Sequence, residues 1–175
     1  MHHASTPNIR KQYLNERKFD IIFPMNTLIV LTAKYLYLVI ILIAIVIFFK
    51  ANRQDKIRLI KLAVIAGPLA LIMVFISSHL FYDTRPFVAQ NIQPLLPHSP
   101  DNGFPSDHTL ISMLVALSIY QVKKRAGILL IILAIVVGAS RVLAYIHYPV
   151  DILGSIVIAM VAVGIASFVL RRITK

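Results

Sequence analysis

The sequence predicts an all-α fold, a polytopic membrane helix bundle of about five transmembrane helices with a possible interfacial helix at the N-terminus. Of its 175 residues, 58% are hydrophobic and only 14% are charged, and the mean hydropathy is +0.80. Soluble domains contain about 45–50% apolar and about 25% charged residues, so this composition excludes an ordinary soluble domain. Five apolar segments each approach the roughly 20 residues that a helix needs to cross a bilayer. Basic residues cluster between these segments, which also indicates a membrane protein.

The predicted spans have no polar stripe, as is typical of helices that are apolar on all sides. The first contains Lys34 about 10 Å from its start, where the ammonium can reach the interface by snorkelling. The third begins at Ser106, a helix-capping residue, and the fifth at Pro149, because proline is favoured at the first helical position. In chain order, the predicted spans are residues 27–49, 62–81, 106–122, 126–144 and 149–170. Residues 1–26 are predicted to be an N-terminal extension or interfacial helix, and residues 27–175 a membrane-embedded domain.

The charge balance gives the predicted topology. The chain has 18 Lys and Arg residues against 7 Asp and Glu residues, a formal net charge of +11. In a soluble chain this excess would suggest a nucleic-acid partner, but eleven of the bases fall on one side of the spans, which the positive-inside rule assigns to the cytoplasm. We therefore expect a membrane and no nucleic acid as partner. The absence of Cys excludes disulfide scaffolds, iron–sulfur clusters and thiol nucleophiles.

Polar residues at the opposite, outward ends of the spans are the candidate functional residues, because ionisable groups are costly in a membrane. Ser106 is placed to cap the third helix, whose first N–H groups and dipole form an anion site. His108 lies in the first turn of that helix, and Asp107 beside it is expected to favour the charged imidazole. A helix cap without a further role is the simpler alternative for Ser106.

The start of the fifth helix predicts a paired histidine. With Pro149 at the first helical position, Tyr148 is the cap and Asp151 is the third helical residue. A carboxylate at that position can reach back across the cap toward His147, as in a capping box. Such a pair fixes one imidazole tautomer and raises its basicity, which suits a nucleophile or a base. The alternative is an interfacial His beside an Asp that favours the helix dipole.

Two arginines also fall at the outward ends of spans. The guanidinium groups of Arg85 and Arg141 present a planar fork that matches phosphate oxygens and stabilises charge on a transferred phosphoryl group. Each could instead anchor a lipid headgroup. His79 and His98 have no comparable neighbours in the sequence.

Three short motifs occur in order along the chain. They are Arg85-Pro86; Pro105-Ser106-Asp107-His108; and Ser140-Arg141, followed after five residues by His147 and after three more by Asp151. This order and spacing resemble the type 2 phosphatidic acid phosphatase superfamily, over roughly residues 33–170. The superfamily pattern is Lys, six residues, Arg-Pro; then Pro-Ser-Gly-His; then Ser-Arg, five residues, His, three residues, Asp.

The resemblance implies a membrane-embedded lipid phosphatase that needs neither a metal ion nor another cofactor. By this resemblance, His147 attacks phosphorus and becomes a phosphohistidine, Asp151 orients it, and His108 protonates the leaving oxygen and then activates water. The phosphate-binding group consists of Arg85, Arg141, Ser106 and Asp107.

Two departures from the superfamily pattern affect the substrate. Ser78 stands where the pattern has Lys, so one phosphate-binding cation is missing. His79, Lys34 or a substrate-associated cation could take its place. Asp107 replaces the usual Gly, and the run Gly103 to Thr109 is similar to the bacitracin-resistance type of undecaprenyl-diphosphatase.

That similarity predicts a polyprenyl diphosphate substrate, hydrolysed to the monophosphate at the outward face of the cytoplasmic membrane. The alternatives are a phosphatase for phosphatidylglycerol phosphate or phosphatidic acid, and a non-catalytic protein that binds lipid phosphates.

Overall fold

The protein forms a bundle of apolar helices. The computed structural model describes residues 9–173, with side chains described for residues 25–173. This part of the chain is helical and contains no β-strand; Thr84 and Asn102 form one isolated antiparallel bridge. The helices are α1 (Ile9–Lys50), α2 (Arg53–Leu80), α3 (Pro86–Ala89), α4 (Asp107–Tyr120), α5 (Lys124–Leu143) and α6 (Pro149–Ile173).

Four of these helices are long and apolar enough to cross a membrane, which confirms the predicted multi-pass bundle. They are Met25–Lys50 within α1, then α2, α5 and α6. The predicted third span is shorter than expected, because α4 has 14 residues, or about 21 Å at 1.5 Å per residue. Helix α2 begins earlier than the predicted residue 62, because Asn52 caps it by accepting a hydrogen bond from the Asp55 N–H at 2.8 Å.

The predicted N-terminal segment, residues 1–26, lies partly outside the described residues. From Ile9 onward the backbone is helical and continues into the span of α1. Whether this segment is a separate extension or an interfacial helix stays a prediction.

Small residues line the helix contacts, which allows close approach without polar side chains. Helix α4 packs mainly against α5 and α6 and also against α1. At one crossing, a Cβ on Gly138 of α5 would lie 2.5 Å from Ile152 Cγ2 of α6, so the site requires glycine. Large apolar side chains such as Leu71, Phe75 and Leu129 are exposed on the outside of the bundle, where lipid would cover them.

The bundle brings four helix termini together at the end opposite most of the basic residues. These are the C-termini of α2 and α5 and the N-termini of α4 and α6. The connection from α2 to α4, which contains α3, is tied to the α5–α6 connection by two backbone bonds, Phe87 N–H to Tyr145 O (3.2 Å) and Leu95 N–H to Ala144 O (3.2 Å). These termini and the two connections form the candidate active site.

Candidate active site

The imidazole of His147 is fixed in the α5–α6 connection. It is only 3% exposed, and its Nδ1 lies 2.9 Å from the carbonyl oxygen of Gly103 and 3.2 Å from Asp151 Oδ2. Both neighbours are acceptors, so Nδ1 carries the proton and Nε2 carries the lone pair. Nε2 lies 3.4 Å from Nη1 of Arg85.

Asp151 holds this arrangement from the first turn of α6. Its Oδ2 accepts a hydrogen bond from the Tyr148 N–H at 2.8 Å, which is the reach across the cap that the spacing predicts. Burial, together with the nearby charge of Asp151, raises the pKa of Asp83. A carboxyl pair therefore lies behind the imidazole.

The electrostatic surroundings of His147 keep it neutral. Burial lowers the pKa of His147 from its ordinary value of 6.5; the hydrogen bond to Asp151 raises the pKa but does not offset burial and the charges of Arg141 and Arg85. The expected rise in basicity from Asp151 is thus present but is outweighed by burial. At neutral pH the Nε2 lone pair is available for attack.

Arg85 immediately precedes α3 and is locked in place by the surrounding loop. Its Nε donates to Asp101 Oδ1 at 2.8 Å, Nη1 donates to the Ile146 carbonyl at 2.9 Å, and Nη2 donates to the Asn102 carbonyl at 3.2 Å. Burial by itself raises the pKa of Asp101, but the hydrogen bond and the charge of Arg85 together lower it by more. The pKa of Asp101 therefore lies below its ordinary value. Because Nη1 also lies 3.4 Å from His147 Nε2, these bonds hold the guanidinium against the imidazole.

Arg141, in the last turn of α5, has no acidic partner among the residues with described side chains. It is 5% exposed; Nη1 donates to the Ala33 carbonyl at 3.4 Å, Nη2 lies 3.3 Å from His98 Nε2, and Nε has no hydrogen-bond partner there. A buried charge without a counter-ion is costly. Its position favours an anionic ligand.

A cavity of about 280 Å³ opens beside Arg141. It is lined by Lys34, Leu96, Pro97, His98, His108, Arg141 and Ile146. The sequence gives His98 no neighbours of interest, but the fold brings it to the site, where its ring centroid also lies 6.3 Å from that of His147. Burial and the charges of Arg85 and Arg141 lower the pKa of His98 to about 4. His98 is therefore neutral and accepts a hydrogen bond from Arg141.

The start of α4 forms the next wall of the site. Ser106 is the N-cap residue but its side chain makes no capping bond; instead its Oγ accepts from Thr109 Oγ1 at 3.2 Å. The His108 ring packs edge-to-face against Tyr37 of α1, with centroids 4.5 Å apart. Asp107 is exposed, and no hydrogen bond joins it to His108 in the described structure. The predicted phosphate-binding role of Asp107 therefore gains no support from contacts.

Residues 58–174 match the family described as the PAP2 superfamily. The chain belongs to the PAP2 superfamily. This confirms the resemblance, and with it a membrane phosphatase.

Curated relatives agree with the PAP2 assignment. The chain is 31% identical over 137 residues to undecaprenyl-diphosphatase BcrC of Bacillus subtilis, covering 78% of this chain and 70% of that protein. It is 32% identical over 139 residues to an undecaprenyl-diphosphatase of Sulfolobus acidocaldarius, covering 77% of this chain and 66% of that protein.

Among solved structures, Aquifex aeolicus LpxE superposes with a TM-score of 0.65 at 23% identity, covering 81% of this chain and 84% of that chain. That likeness shows the shared fold.

The PAP2 motifs account for His147, Asp151, Arg85, Arg141, Ser106 and His108, which the structure brings to one end of the bundle. The contributors outside the motifs include His98, Asp101 and Asn102. All three belong to the polar stretch before Pro105 in the α2–α4 connection. The signal that could have found them is that stretch itself, because polar residues in an otherwise apolar chain need a local reason to occur.

Proposed function

We propose that this protein hydrolyses undecaprenyl diphosphate to undecaprenyl phosphate and inorganic phosphate at the outward face of the cytoplasmic membrane. The observation that carries the proposal is the orientation of His147, whose Nδ1 is held by Gly103 and Asp151 while Nε2 faces Arg85. The names of the two curated relatives support the diphosphate lipid as substrate. The outward orientation follows from the positive-inside rule.

The proposed reaction has two phosphoryl transfers. In the first, Nε2 of His147 attacks the terminal phosphorus, and the bond from that phosphorus to the bridging oxygen breaks. His108 donates a proton to the bridging oxygen, and undecaprenyl phosphate leaves. In the second, His108 takes a proton from water, which attacks the phosphohistidine and releases phosphate. Asp151 holds the Nδ1 proton of His147 throughout.

The positive charge of the site would stabilise the transition state. In phosphoryl transfer, negative charge is spread over the oxygens of the transferred group, and positive groups of the site stabilise that charge. Arg85 and Arg141 are the cations that flank His147, and both are buried, where electrostatic contacts are stronger than in water. Ser106 and the free N–H groups of the first turn of α4 complete the proposed phosphate site.

The test is a comparison of lipid substrates with the purified full-length protein in one detergent–lipid mixture. We expect kcat/KM to be highest for undecaprenyl diphosphate, and His147→Asn to abolish phosphate release. A preference for phosphatidic acid or phosphatidylglycerol phosphate would show that the substrate is wrong. Binding without turnover of any of these lipids would favour a non-catalytic lipid-phosphate protein.

The proposed intermediate is tested separately. Rapid denaturation at alkaline pH, where phosphohistidine survives, should trap labelled phosphate on His147 during turnover. Label on another residue, or unchanged activity in His147→Asn, would contradict the assignment of the nucleophile.

A further inference from the structure

Lys34 of α1 lies in the active-site cavity, although the PAP2 motifs contain no residue from this helix. We propose that Lys34 binds the phosphate of the leaving group, the one that stays attached to the lipid, and thereby makes the site selective for diphosphates over monophosphates. This inference rests on the proposed function, since it assigns a second phosphate to the substrate.

Position 78 supplies no cation to the cavity. The Ser78 hydroxyl donates to the Phe75 carbonyl at 3.1 Å, within its own helix, and the Ser78 carbonyl accepts from Asn102 Nδ2 at 3.0 Å. The neighbouring His79 is exposed, with Nδ1 2.7 Å from the Phe75 carbonyl and its ring stacked near that of Phe75. Neither residue lines the cavity, so the charge that the superfamily Lys provides must come from elsewhere.

Lys34 is positioned to provide that charge. It lines the cavity together with His108 and Arg141, and it forms no ion pair with any residue whose side chain is described. Its ammonium lies 5.1 Å from the centre of the exposed Tyr35 ring, which places it at the rim of the cavity. An unpaired, flexible cation at a rim can turn toward an anion when one binds.

Helix α1 contacts the site at residues on both sides of Lys34. The Ala33 carbonyl accepts from Arg141 Nη1 at 3.4 Å, and Tyr37, one turn further along, packs on His108. Lys34 lies between these two contacts in sequence. Its backbone position relative to Arg141 and His108 is therefore set by packing on both sides.

The site has two sides, and Lys34 belongs to the leaving-group side. His147, Asp151 and Arg85 form the side where the attacked phosphorus would bind. The cavity lies on the side of His108, which in the proposed reaction protonates the leaving oxygen. His98 is also there, but its pKa of about 4 leaves it uncharged at neutral pH. Besides Arg141 and the His108 that donates its proton, Lys34 is the cation that lines the cavity on that side.

The experiment uses two substrates with the same tail, farnesyl diphosphate and farnesyl monophosphate. For each enzyme, we measure the ratio of kcat/KM for the diphosphate to kcat/KM for the monophosphate. Lys34→Met should lower this ratio by about tenfold or more, because one charged contact to the second phosphate is lost. Lys34→Arg, which keeps the charge, should have a ratio close to that of the wild type.

The matched control is Lys50→Met, the same replacement at the C-terminus of the same helix, where we expect an unchanged ratio. Monophosphate hydrolysis by Lys34→Met reports that the variant is folded. An equal loss for both substrates, or no loss, would overturn the role of Lys34. A wild-type enzyme that hydrolyses only the monophosphate would instead overturn the proposed function, so the two failures are distinguishable.

Discussion

At the residue scale, the protonation of His147 controls whether the proposed nucleophile can attack. Because burial lowers its pKa below 6.5, the imidazole is neutral at pH 7 and becomes protonated only as the pH falls through that lowered value. We expect the NMR titration of His147 in the substrate-free enzyme, with 15N-labelled histidine, to have its midpoint below pH 6.5. His147→Asn identifies the signal. A midpoint above 6.5 would contradict the dominance of burial over Asp151.

Gly103 is a second residue on which the nucleophile depends. A Cβ at this position would lie 3.2 Å from Asp151 Oδ2 and 3.2 Å from the Asp83 carbonyl oxygen. Gly103→Ala should therefore displace the Asp151 carboxylate or shift the Gly103 backbone, whose carbonyl lies 2.9 Å from His147 Nδ1, and lower kcat by about ten- to a hundredfold.

The control for this variant is Gly164→Ala in α6, where an added Cβ meets no atom within 4 Å. We expect its kcat to equal that of the wild type. Equal activity in Gly103→Ala would mean that the site adapts to the added methyl group.

Residue-level prediction from the sequence succeeded where spacing fixes geometry. The interval between His147 and Asp151 predicts a hydrogen bond across the helix start, and the structure contains it. The contact between His98 and Arg141 could not be predicted, because the two residues meet only through a loop whose path depends on tertiary contacts. The sequence also could not predict that the pKa of His147 is lowered, because this shift depends on burial.

At the scale of elements, the connection between α2 and α4 is organised by one side chain. Asn102 Oδ1 accepts from the backbone N–H groups of Asp83 and Phe104 at 2.9 and 3.0 Å. Its Nδ2 donates to the carbonyls of Ser78 and Phe81, both at 3.0 Å. This amide joins the end of α2 to the segment that precedes α4.

Removing that amide should loosen the whole connection. Asn102→Ala is expected to destabilise the protein by about 2–4 kcal/mol, because four partners lose a hydrogen bond. It should also lower kcat/KM, since the Asn102 carbonyl and Asp101 hold Arg85. Thermal unfolding in detergent and kinetics measure the two effects.

Gln93→Ala, at an exposed position of the same connection, is the control and should change neither quantity. A stability of Asn102→Ala equal to that of the wild type would show that other contacts hold the connection.

Hydropathy located the helices but not all of their ends. The apolar runs correctly predict α5 and α6, whose flanking Lys124 and Pro149 are local signals. The start of α2 was placed too late because its first turns are charged, although Asn52 caps them. The predicted third span extends past the end of α4 because Val122 is apolar, whereas Gln121 and Val122 lie in the turn after Tyr120.

At the scale of the whole molecule, the distribution of basic residues predicts which end faces outward. The chain contains no cysteine, so single-cysteine variants can report topology without background labelling. Ser99→Cys, at an exposed position of the α2–α4 connection, should react with a membrane-impermeant maleimide in intact cells. Lys124→Cys, at the start of α5, should react only after permeabilisation. The opposite pattern would place the active site on the cytoplasmic side.

The short length of α4 affects what fills the space beyond its first turn. Helices α4 and α5 share a turn at one end, but α5 has 20 residues and α4 has 14; at 1.5 Å per residue, α4 stops about 9 Å short of the level that α5 reaches. The first turn of α4 therefore lies deeper in the bundle than the last turn of α5. Non-helical backbone is tolerated at that depth only where protein buries it or water reaches it. Ser106 and Thr109 at the start of α4 are fully buried, so protein rather than lipid fills the space beyond the shorter helix.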